Sequence, residues 1–271
     1  MTARAIAVDW SGARTGAERK IWLGEARDGV LLRIEGGRTR EALARHLLDE
    51  LKRDPNTVVG LDFGFSYPAW YVTSLGVASA PELWARMRND AERILSTCEA
   101  PFWGRPGVRR TDCEQWRRTE RELRDAGHGP KSMFQLVGAG AVGTGSLRGM
   151  FLLRALHDAG CAVWPFDGPV LPLAVEIYPR LLSGPVVKSS SAARAAHLEH
   201  YGATIPPGLR ERAATSEDAF DAAVSAVEMS RRIDELLALP VVVDPILRIE
   251  GAIWPDETPI TRCGRSAPLR H

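Results

Sequence analysis

The sequence has few cysteines, almost no charge surplus and no long apolar run, and each shortage excludes a class of protein. The four cysteines among 271 residues form no C-x-x-C pair, so neither a disulfide scaffold nor a zinc site is indicated. The 35 basic and 34 acidic residues leave a net charge of +1, which gives no overall attraction to nucleic acid. No apolar run approaches ~20 residues. We therefore expect a soluble, cytoplasmic protein without a signal peptide or membrane span.

The length and the apolar content predict one large domain. Hydrophobic residues make up 45% of the chain, enough for a sizeable core. We predict a single α/β domain over residues 1–271, with a helical insertion at about 67–130 that is rich in tryptophan and arginine. A proline-rich tail at about 255–271 is expected to be loosely ordered.

The order of the predicted elements indicates a mixed sheet. Apolar segments at 4–10, 20–26 and 30–35, joined by short turns, predict an antiparallel meander. A leucine-rich helix at 38–53 then leads to a fourth strand at 57–63, which is expected to return beside the first. Further strands are predicted at 133–137, 161–166, 173–177, 241–243 and 249–254, and further helices at 146–159, 192–201 and 216–239.

Lone carboxylates end or interrupt several of these apolar segments. Asp9 ends the first strand and Asp62 ends the fourth, while Glu176 lies inside a short apolar run. Asp218 and Asp221 fall in the first turns of the late helix, and a spacing of three places them on one helix face. A carboxylate at the end of a buried strand loses hydration that a partner charge, hydrogen bonds or a metal must replace.

Several carboxylates that converge from neighbouring strands and a helix suit hard divalent cations. Mg²⁺ and Mn²⁺ take oxygen ligands, and the metal offsets the repulsion among the anions. Two such ions about 4 Å apart favour phosphodiester hydrolysis, in which one activates water and the other stabilises the leaving oxygen.

Each carboxylate also has a structural interpretation. Asp9 and Asp62 can bond the amides of the turns that follow them, and Asp218 can serve as a helix cap. Glu176 can point outward from an edge strand and pair with Arg180. Asp221 can belong to a solvated stripe with Ser225 and Glu228. The functional interpretation therefore depends on the whole set.

Four short motifs and their order resemble a known superfamily. The motifs are Ala7-Val8-Asp9-Trp10-Ser11-Gly12, Gly60-Leu61-Asp62-Phe63, Val175-Glu176-Ile177-Tyr178-Pro179 and Glu250-Gly251-Ala252-Ile253-Trp254-Pro255. With the meander and the late Asp218-x-x-Asp221 helix, the chain resembles the ribonuclease-H-like superfamily, and most closely its Holliday-junction-resolvase-type members. More narrowly, the motifs are similar to those of domain of unknown function 429, a family described as predicted nucleases.

The resemblance implies a ribonuclease-H-like fold and metal ligation by Asp9, Asp62 and Asp221, with Asp218 or Glu176 completing the set. We therefore predict a nuclease or phosphodiesterase that depends on Mg²⁺ or Mn²⁺, with Asp9 bridging the metals and Asp62 and Asp221 holding one each. Nucleic acid and a small phosphodiester are both candidate substrates. The catalytic prediction comprises Asp9, Asp62, Glu176, Asp218 and Asp221, and the metal prediction Asp9, Asp62, Asp218 and Asp221.

Three alternative functions remain open. The run from Gly138 to Gly143 fits the G-x-G-x-x-G fingerprint of NAD(P)-binding proteins, which requires a preceding strand and a following helix. The segment from Asp9 to Thr15 loosely resembles the first phosphate loop of actin-like and sugar-kinase ATPases, whose core is normally duplicated. A non-catalytic scaffold that binds a partner through the insertion is the third alternative.

Basic residues outside the carboxylate set admit two interpretations. Arginine and tryptophan in the insertion can contact phosphates and stack bases, but the acidic residues among them equally predict acid–base pairs on a solvated helix face. We interpret Lys188, beside three serines, as part of a linker. His197 and His200 lack a third ligand nearby and are expected at the surface. The basic and aromatic residues of the insertion are Arg105, Arg109, Arg110, Arg117, Arg118, Arg121, Arg124, Lys131, Trp103 and Trp116.

Overall fold

A computed structural model describes residues 2–138 and 141–255. The predicted tail lies outside the described residues from 256 onward, as do Ala139 and Gly140 of the glycine run. The strands are β1 (Arg4–Asp9), β2 (Trp22–Arg27), β3 (Val30–Gly36), β4 (Thr57–Leu61), β5 (Ala162–Val163), β6 (Leu173–Ile177) and β7 (Ile253–Trp254). The helices are α1 (Arg40–Arg53), α2 (Ala69–Ser74), α3 (Ala80–Thr97), α4 (Arg118–Asp125), α5 (Gly143–Asp158), α6 (Pro179–Ser183), α7 (Ser191–Glu199), α8 (Pro207–Ala213), α9 (Glu217–Arg231), α10 (Ile233–Leu237) and α11 (Leu247–Glu250).

The strands form one mixed sheet in the order β3-β2-β1-β4-β6. Strands β1 to β3 make the predicted antiparallel meander, and β4 lies parallel to β1 after the crossover through α1. Strand β6 continues the sheet in parallel with β4, and the short strands β5 and β7 pair with its first and last residues. The prediction of an α/β protein with a mixed sheet flanked by helices is confirmed at this level.

Apolar residues on both faces of the sheet are buried under helices. On one face Ile6 and Val8 belong to a cluster with the apolar residues of α1, α3 and α5. On the other face Ala5 and Ala7 pack with α9, whose Phe220 is fully buried. Helix α3 comes from the insertion yet shares the first cluster, so the insertion and the sheet have a common core.

The insertion is helical only in part. Helices α2, α3 and α4 account for its regular structure, and the chain between α3 and α4 has no helix. Among the described residues, no helix has the length and the apolar content needed to cross a membrane.

Four predicted strands are wrong or markedly shortened, and of the segment 161–166 only β5 is a strand. Residues 241–243 form no strand, and Val241 and Val243 are 68% and 84% exposed, because these β-branched residues have no neighbouring strand to pair with. The segment 133–137 contributes only an isolated bridge between Gln135 and Trp103. Of the segment 249–254, only β7 is a strand, since α11 extends to Glu250. The late helix, predicted as continuous over 216–239, is divided at Arg232 between α9 and α10.

Gly24 allows α9 to approach the sheet closely. A Cβ on Gly24 would lie 2.3 Å from the carbonyl oxygen of Ala222, which is backbone adjacent to Asp221. We expect Gly24→Ala to push α9 away from β2 and to lower the free energy of unfolding by about 1–3 kcal/mol, as measured by urea denaturation. Gly208→Ala is the matched control, because no atom lies within 4 Å of its added Cβ. Equal stability of the two variants would contradict the close helix–sheet contact.

Candidate functional site

Two of the predicted carboxylates lie side by side at one edge of the sheet. Strands β1 and β4 are parallel and pair Val8 with Leu61, and the Asp62 amide donates to the Val8 carbonyl at 3.1 Å. Because side chains alternate along a strand, Asp9 and Asp62 both project on the face covered by α9. The carboxyl ends of adjacent parallel strands in open α/β sheets are the usual location of ligand sites.

Helix α9 brings two further aspartates to the same place. The Ser216 hydroxyl accepts a hydrogen bond from the Ala219 amide at 3.0 Å, so Ser216 caps the helix and Asp218 does not. The charges of Asp218 and Asp221 both raise the pKa of Asp9. The four aspartates of the predicted catalytic set thus form one electrostatic cluster, and the charge of Glu176 also raises the pKa of Asp62.

The aspartate cluster carries charge that the protein does not fully balance. Burial raises the pKa of Asp9 well above its usual range, and the charges of Asp62 and Asp221 raise it further. Burial, followed by the Asp221 charge, raises the pKa of Asp62 to about 8. Within the described residues, neither side chain accepts a hydrogen bond. A buried carboxylate without donors is unstable as an anion unless a cation reaches it.

Lys188 provides one positive charge to this cluster. Its Nζ lies 2.6 Å from Oδ1 of Asp221, and both side chains are largely buried. The Lys188 charge also lowers the pKa of Asp9 and of Asp62, against the larger effects that raise it. The backbone of Lys188 does lie in the connection between α6 and α7, where the Arg194 guanidinium donates to its carbonyl oxygen. Our interpretation of Lys188 as a linker residue therefore missed the contact of its side chain.

The solvated stripe considered for α9 is not formed. Ser225 is 1% exposed and Asp221 is engaged by Lys188, so the polar residues at this spacing do not follow the surface.

His197 packs its ring against Phe220, and its ring centroid lies 6.3 Å from that of His200. Burial lowers the pKa of His197.

A complete set of metal ligands is not preassembled. In residues 2–138 and 141–255, no three side chains of His, Cys, Asp or Glu are arranged so that they could hold a metal ion. The predicted set of four aspartate ligands is therefore not formed as such, because Asp221 is held by Lys188. Asp9 and Asp62 remain as neighbouring carboxylates without hydrogen-bond donors. Two carboxylates suffice for Mg²⁺, which usually keeps several waters and takes its other ligands from substrate phosphates.

Glu176 lines the same cavity as Asp62 and its charge raises the pKa of Asp62, but its side chain projects from the other face of the sheet. It pairs with Leu61 across β4 and β6, and this register places its side chain on the sheet face opposite to Asp9 and Asp62. Arg117 binds both carboxylate oxygens, at 2.8 and 2.5 Å, and the Phe65 amide donates to Oε2 at 2.8 Å. Glu176 is thus neither on an outward-facing edge nor paired with Arg180, and we leave it out of the proposed ligand set.

Arg117 joins the insertion to the sheet. Its side chain is fully buried and bonds Glu120, Glu176 and the carbonyl oxygen of Glu250. The Glu250 carboxylate in turn accepts from the Ala69 amide at 2.8 Å and the Arg118 amide at 2.5 Å, at the beginnings of α2 and α4. The sequence predicted a solvated helix face here. A buried network forms instead, because Glu176 and Glu250 reach the insertion from distant parts of the chain.

Two arginine side chains stack on the ring of Trp116. The guanidinium carbons of Arg110 and Arg124 lie 4.5 and 4.2 Å from the ring centroid. The Trp103 indole donates to Gln115 at 2.8 Å. These tryptophan rings contact other residues of the protein, so the arginine and tryptophan residues that suggested base stacking interact with one another within the fold.

A cavity of about 660 Å³ opens beside the aspartate cluster. Asp62 lies in its wall, together with the turn after β1, the insertion, the beginning of α5 and the end of β6. The turn after β1 meets α5 closely, since a Cβ on Gly12 would lie 2.3 Å from the Gly145 amide nitrogen. The Trp10 indole donates to the Gly145 carbonyl at 3.0 Å. Backbone and charged side chains therefore surround a space of ligand size next to Asp62.

No family model, curated protein or solved structure matches this chain. The resemblance to domain of unknown function 429 stays a prediction, and function has to be inferred from the site itself.

Two of the alternative functions lose their structural basis. Helix α5 follows the glycine run, but no strand of the sheet precedes it, so the strand–glycine–helix unit of dinucleotide-binding proteins is not formed in the described residues. Gly143 instead permits close packing, because its Cβ would lie 2.4 Å from the Met133 carbonyl oxygen. The actin-like alternative expects a duplicated core, and the described chain has one copy of the sheet.

Proposed function

We propose that the protein is a metal-dependent phosphodiester hydrolase of ribonuclease-H-like fold. The observation that carries this proposal is the pair Asp9 and Asp62, a buried and a half-buried carboxylate without hydrogen-bond donors in the described residues, at the carboxyl ends of adjacent parallel strands. The order of the strands, with an antiparallel meander followed by parallel strands, supports the proposed fold.

Hard oxygen donors in this environment fit Mg²⁺ or Mn²⁺. Asp9 and Asp62 would hold the cation, and the phosphate of the substrate would supply further ligands. The bound cation would neutralise charge on the phosphate and lower the pKa of a coordinated water. It would also relieve the repulsion that now raises the pKa of both carboxyl groups.

The remaining charged groups would orient the reacting phosphate. Lys188 holds Asp221 through a contact of 2.6 Å and thereby keeps an ammonium group at the aspartate cluster. An ammonium group there would stabilise negative charge that develops on the phosphate oxygens. Asp221, held by that contact, would accept a hydrogen bond from the attacking water and direct it towards phosphorus. No side-chain nucleophile is required.

The test is hydrolysis of bis(p-nitrophenyl) phosphate by the full chain in EDTA and in millimolar Mn²⁺. We expect turnover only with Mn²⁺, and a loss of about 100-fold or more in kcat for Asp9→Asn. Asp49→Asn is the matched control, because Asp49 is exposed on α1 and does not line the cavity.

The same samples distinguish the non-catalytic alternative. Thermal unfolding in Mn²⁺ should show a rise in Tm for the wild-type protein and for Asp49→Asn, and none for Asp9→Asn. A scaffold without a metal site would show neither hydrolysis nor a Tm response, and that outcome would overturn the proposal.

A further inference from the structure

The cavity beside Asp62 contains a local excess of positive charge. Three cationic residues in its lining, Arg14, Lys20 and Lys131, form no hydrogen bond or ion pair through their side chains within the described residues. The other cations of the lining are already engaged: Arg117 with Glu120 and Glu176, Arg148 with Glu92, and Arg105 with the carbonyl oxygens of Leu95 and Ser96. On a chain with a net charge of +1, Arg14, Lys20 and Lys131 thus give this one cavity three cations whose side chains have no partner in the described residues.

The unpaired cations come from two separate segments of the chain. Arg14 and Lys20 lie on the connection between β1 and β2, and Lys131 lies at the end of the insertion. Asp62 lies in the wall of the same cavity. A ligand with a phosphate near Asp62 would therefore occupy a cavity that both segments line with positive charge.

Part of the cavity wall is apolar. Leu95, Leu136 and Val137 contribute to it, and Val137 is 46% exposed. Apolar side chains around a few polar groups are typical of small-molecule sites, and about 660 Å³ falls within the usual ~300–1,000 Å³ for such sites. A flat ring such as a nucleobase would be buried against this wall.

A long polyanion fits this surface poorly. Binding of duplex nucleic acid depends on many phosphate contacts spread along an extended basic surface. Here three unpaired cations line a single cavity, and the Trp116 ring already has the guanidinium groups of Arg110 and Arg124 stacked on it. The insertion contributes Leu95, Arg105 and Pro130 to the lining of the cavity.

We propose that this cavity binds a nucleotide-sized phosphodiester, with Arg14, Lys20 and Lys131 holding its phosphate and the apolar wall receiving its base. This inference rests on the proposed function, since it specifies the substrate class of the same site. In this arrangement the scissile phosphate lies beside Asp62, and the three cations contact the non-reacting oxygens of that phosphate.

Binding is tested separately from hydrolysis. Titration calorimetry with thymidine 5′-monophosphate in EDTA should detect binding by the wild-type protein, and Lys131→Gln or Lys20→Gln should raise Kd by about tenfold. Lys52→Gln is the control, because Lys52 is an exposed lysine on α1 outside the cavity. The absence of binding at millimolar nucleotide, or an equal change in Kd for Lys52→Gln, would overturn the inference.

Kinetics with Mn²⁺ then compare substrates. The p-nitrophenyl ester of thymidine 5′-monophosphate should be hydrolysed with a KM at least tenfold below that of bis(p-nitrophenyl) phosphate, and a short DNA duplex should not compete with it. Effective competition by the duplex would overturn the assignment of a small substrate while leaving the hydrolase intact. Nucleotide binding that Lys131→Gln weakens, without any hydrolysis, would support the cavity and refute the proposed function.

Discussion

In the absence of divalent cations, Asp62→Asn is expected to melt on the order of 5 °C above the wild-type protein near pH 8. The wild-type carboxylate is buried, accepts no hydrogen bond within the described residues and lies in the field of Asp221. Asparagine has nearly the same shape, carries no charge and can donate hydrogen bonds to the neighbouring carboxylates. Removing an unbalanced buried charge should therefore raise the free energy of unfolding by about 1–3 kcal/mol.

The pH dependence of this effect has a definite sign. The pKa of Asp62 is about 8 in the folded protein and near 3.8 when the chain is unfolded. A raised pKa in the folded state contributes stability that is fully present below the unfolded pKa and is lost as the pH rises through the folded pKa. The metal-free wild-type protein should thus lose stability between about pH 4 and pH 8, and Asp62→Asn should lose less.

Differential scanning calorimetry across this pH range, in EDTA and in Mn²⁺, measures both effects. Mn²⁺ should stabilise the wild-type protein most near pH 8 and leave Asp62→Asn unchanged, because the variant has lost one of the two proposed ligands. Asp49→Asn should follow the wild-type profile throughout. A variant less stable than the wild-type protein in EDTA near pH 8 would mean that the Asp62 carboxylate is balanced by groups within the fold.

Strand-end carboxylates are the part of the site that the sequence predicts well. Asp9 and Asp62 each follow an apolar segment, and the parallel pairing of β1 with β4 makes them neighbours. The pairing itself follows from a short crossover through α1. The local pattern was sufficient to place these carboxylates, because the apolar strand and the residue that ends it are contiguous in the sequence.

Lys188 and Arg117 were misjudged because their partners are distant in the chain. Lys188 meets Asp221 from another loop, and three neighbouring serines made the segment resemble a linker. Arg117 stands in a run of arginine and glutamate, which normally indicates a solvated helix. Its burial depends on Glu176, 59 residues away. An ion pair between residues that are distant in the chain produces no periodic pattern in the sequence, so local patterns do not predict it.

The sequence of β6 alone does not determine the sheet face on which the Glu176 side chain lies. Its place within the apolar run of β6 was predicted correctly, but the face on which it lies depends on the register with β4. A shift of one residue in that register would have moved its side chain to the face of Asp9 and Asp62. The partner strand, and not the local pattern, decides which carboxylates converge.

Arg117→Met is expected to lower the free energy of unfolding by about 3–5 kcal/mol. Methionine fills much of the volume of the arginine side chain but leaves Glu120 and Glu176 without their common cation. Both carboxyl groups stay buried, and burial already raises the pKa of Glu120 although Arg117 is present. Arg117→Lys should lose less, since it keeps the charge but cannot bond two carboxylates through a planar fork.

Urea denaturation of both variants tests this prediction, with Arg109→Ala as the control. Arg109 is an exposed arginine of the same insertion without a hydrogen bond or ion pair in the described residues, and its removal should change the unfolding free energy by less than about 0.5 kcal/mol. A second measurement separates lost packing from unpaired charge. Arg117→Met combined with Glu176→Gln should be more stable than the sum of the two single changes, because one unpaired charge is absent from the double variant.

The deficit of Arg117→Met should also depend on pH. Without the guanidinium, burial holds the pKa of Glu120 above that of the unfolded chain, so this carboxyl group destabilises the fold as it ionises. The variant should therefore be closest to the wild-type protein in mild acid and furthest from it in mild base. A deficit independent of pH would assign the loss to packing around methionine. The predicted dependence of the deficit on pH instead follows from charge. Arg117 is the buried cation between the insertion and the sheet, and it pairs with two buried carboxylates, those of Glu120 and Glu176.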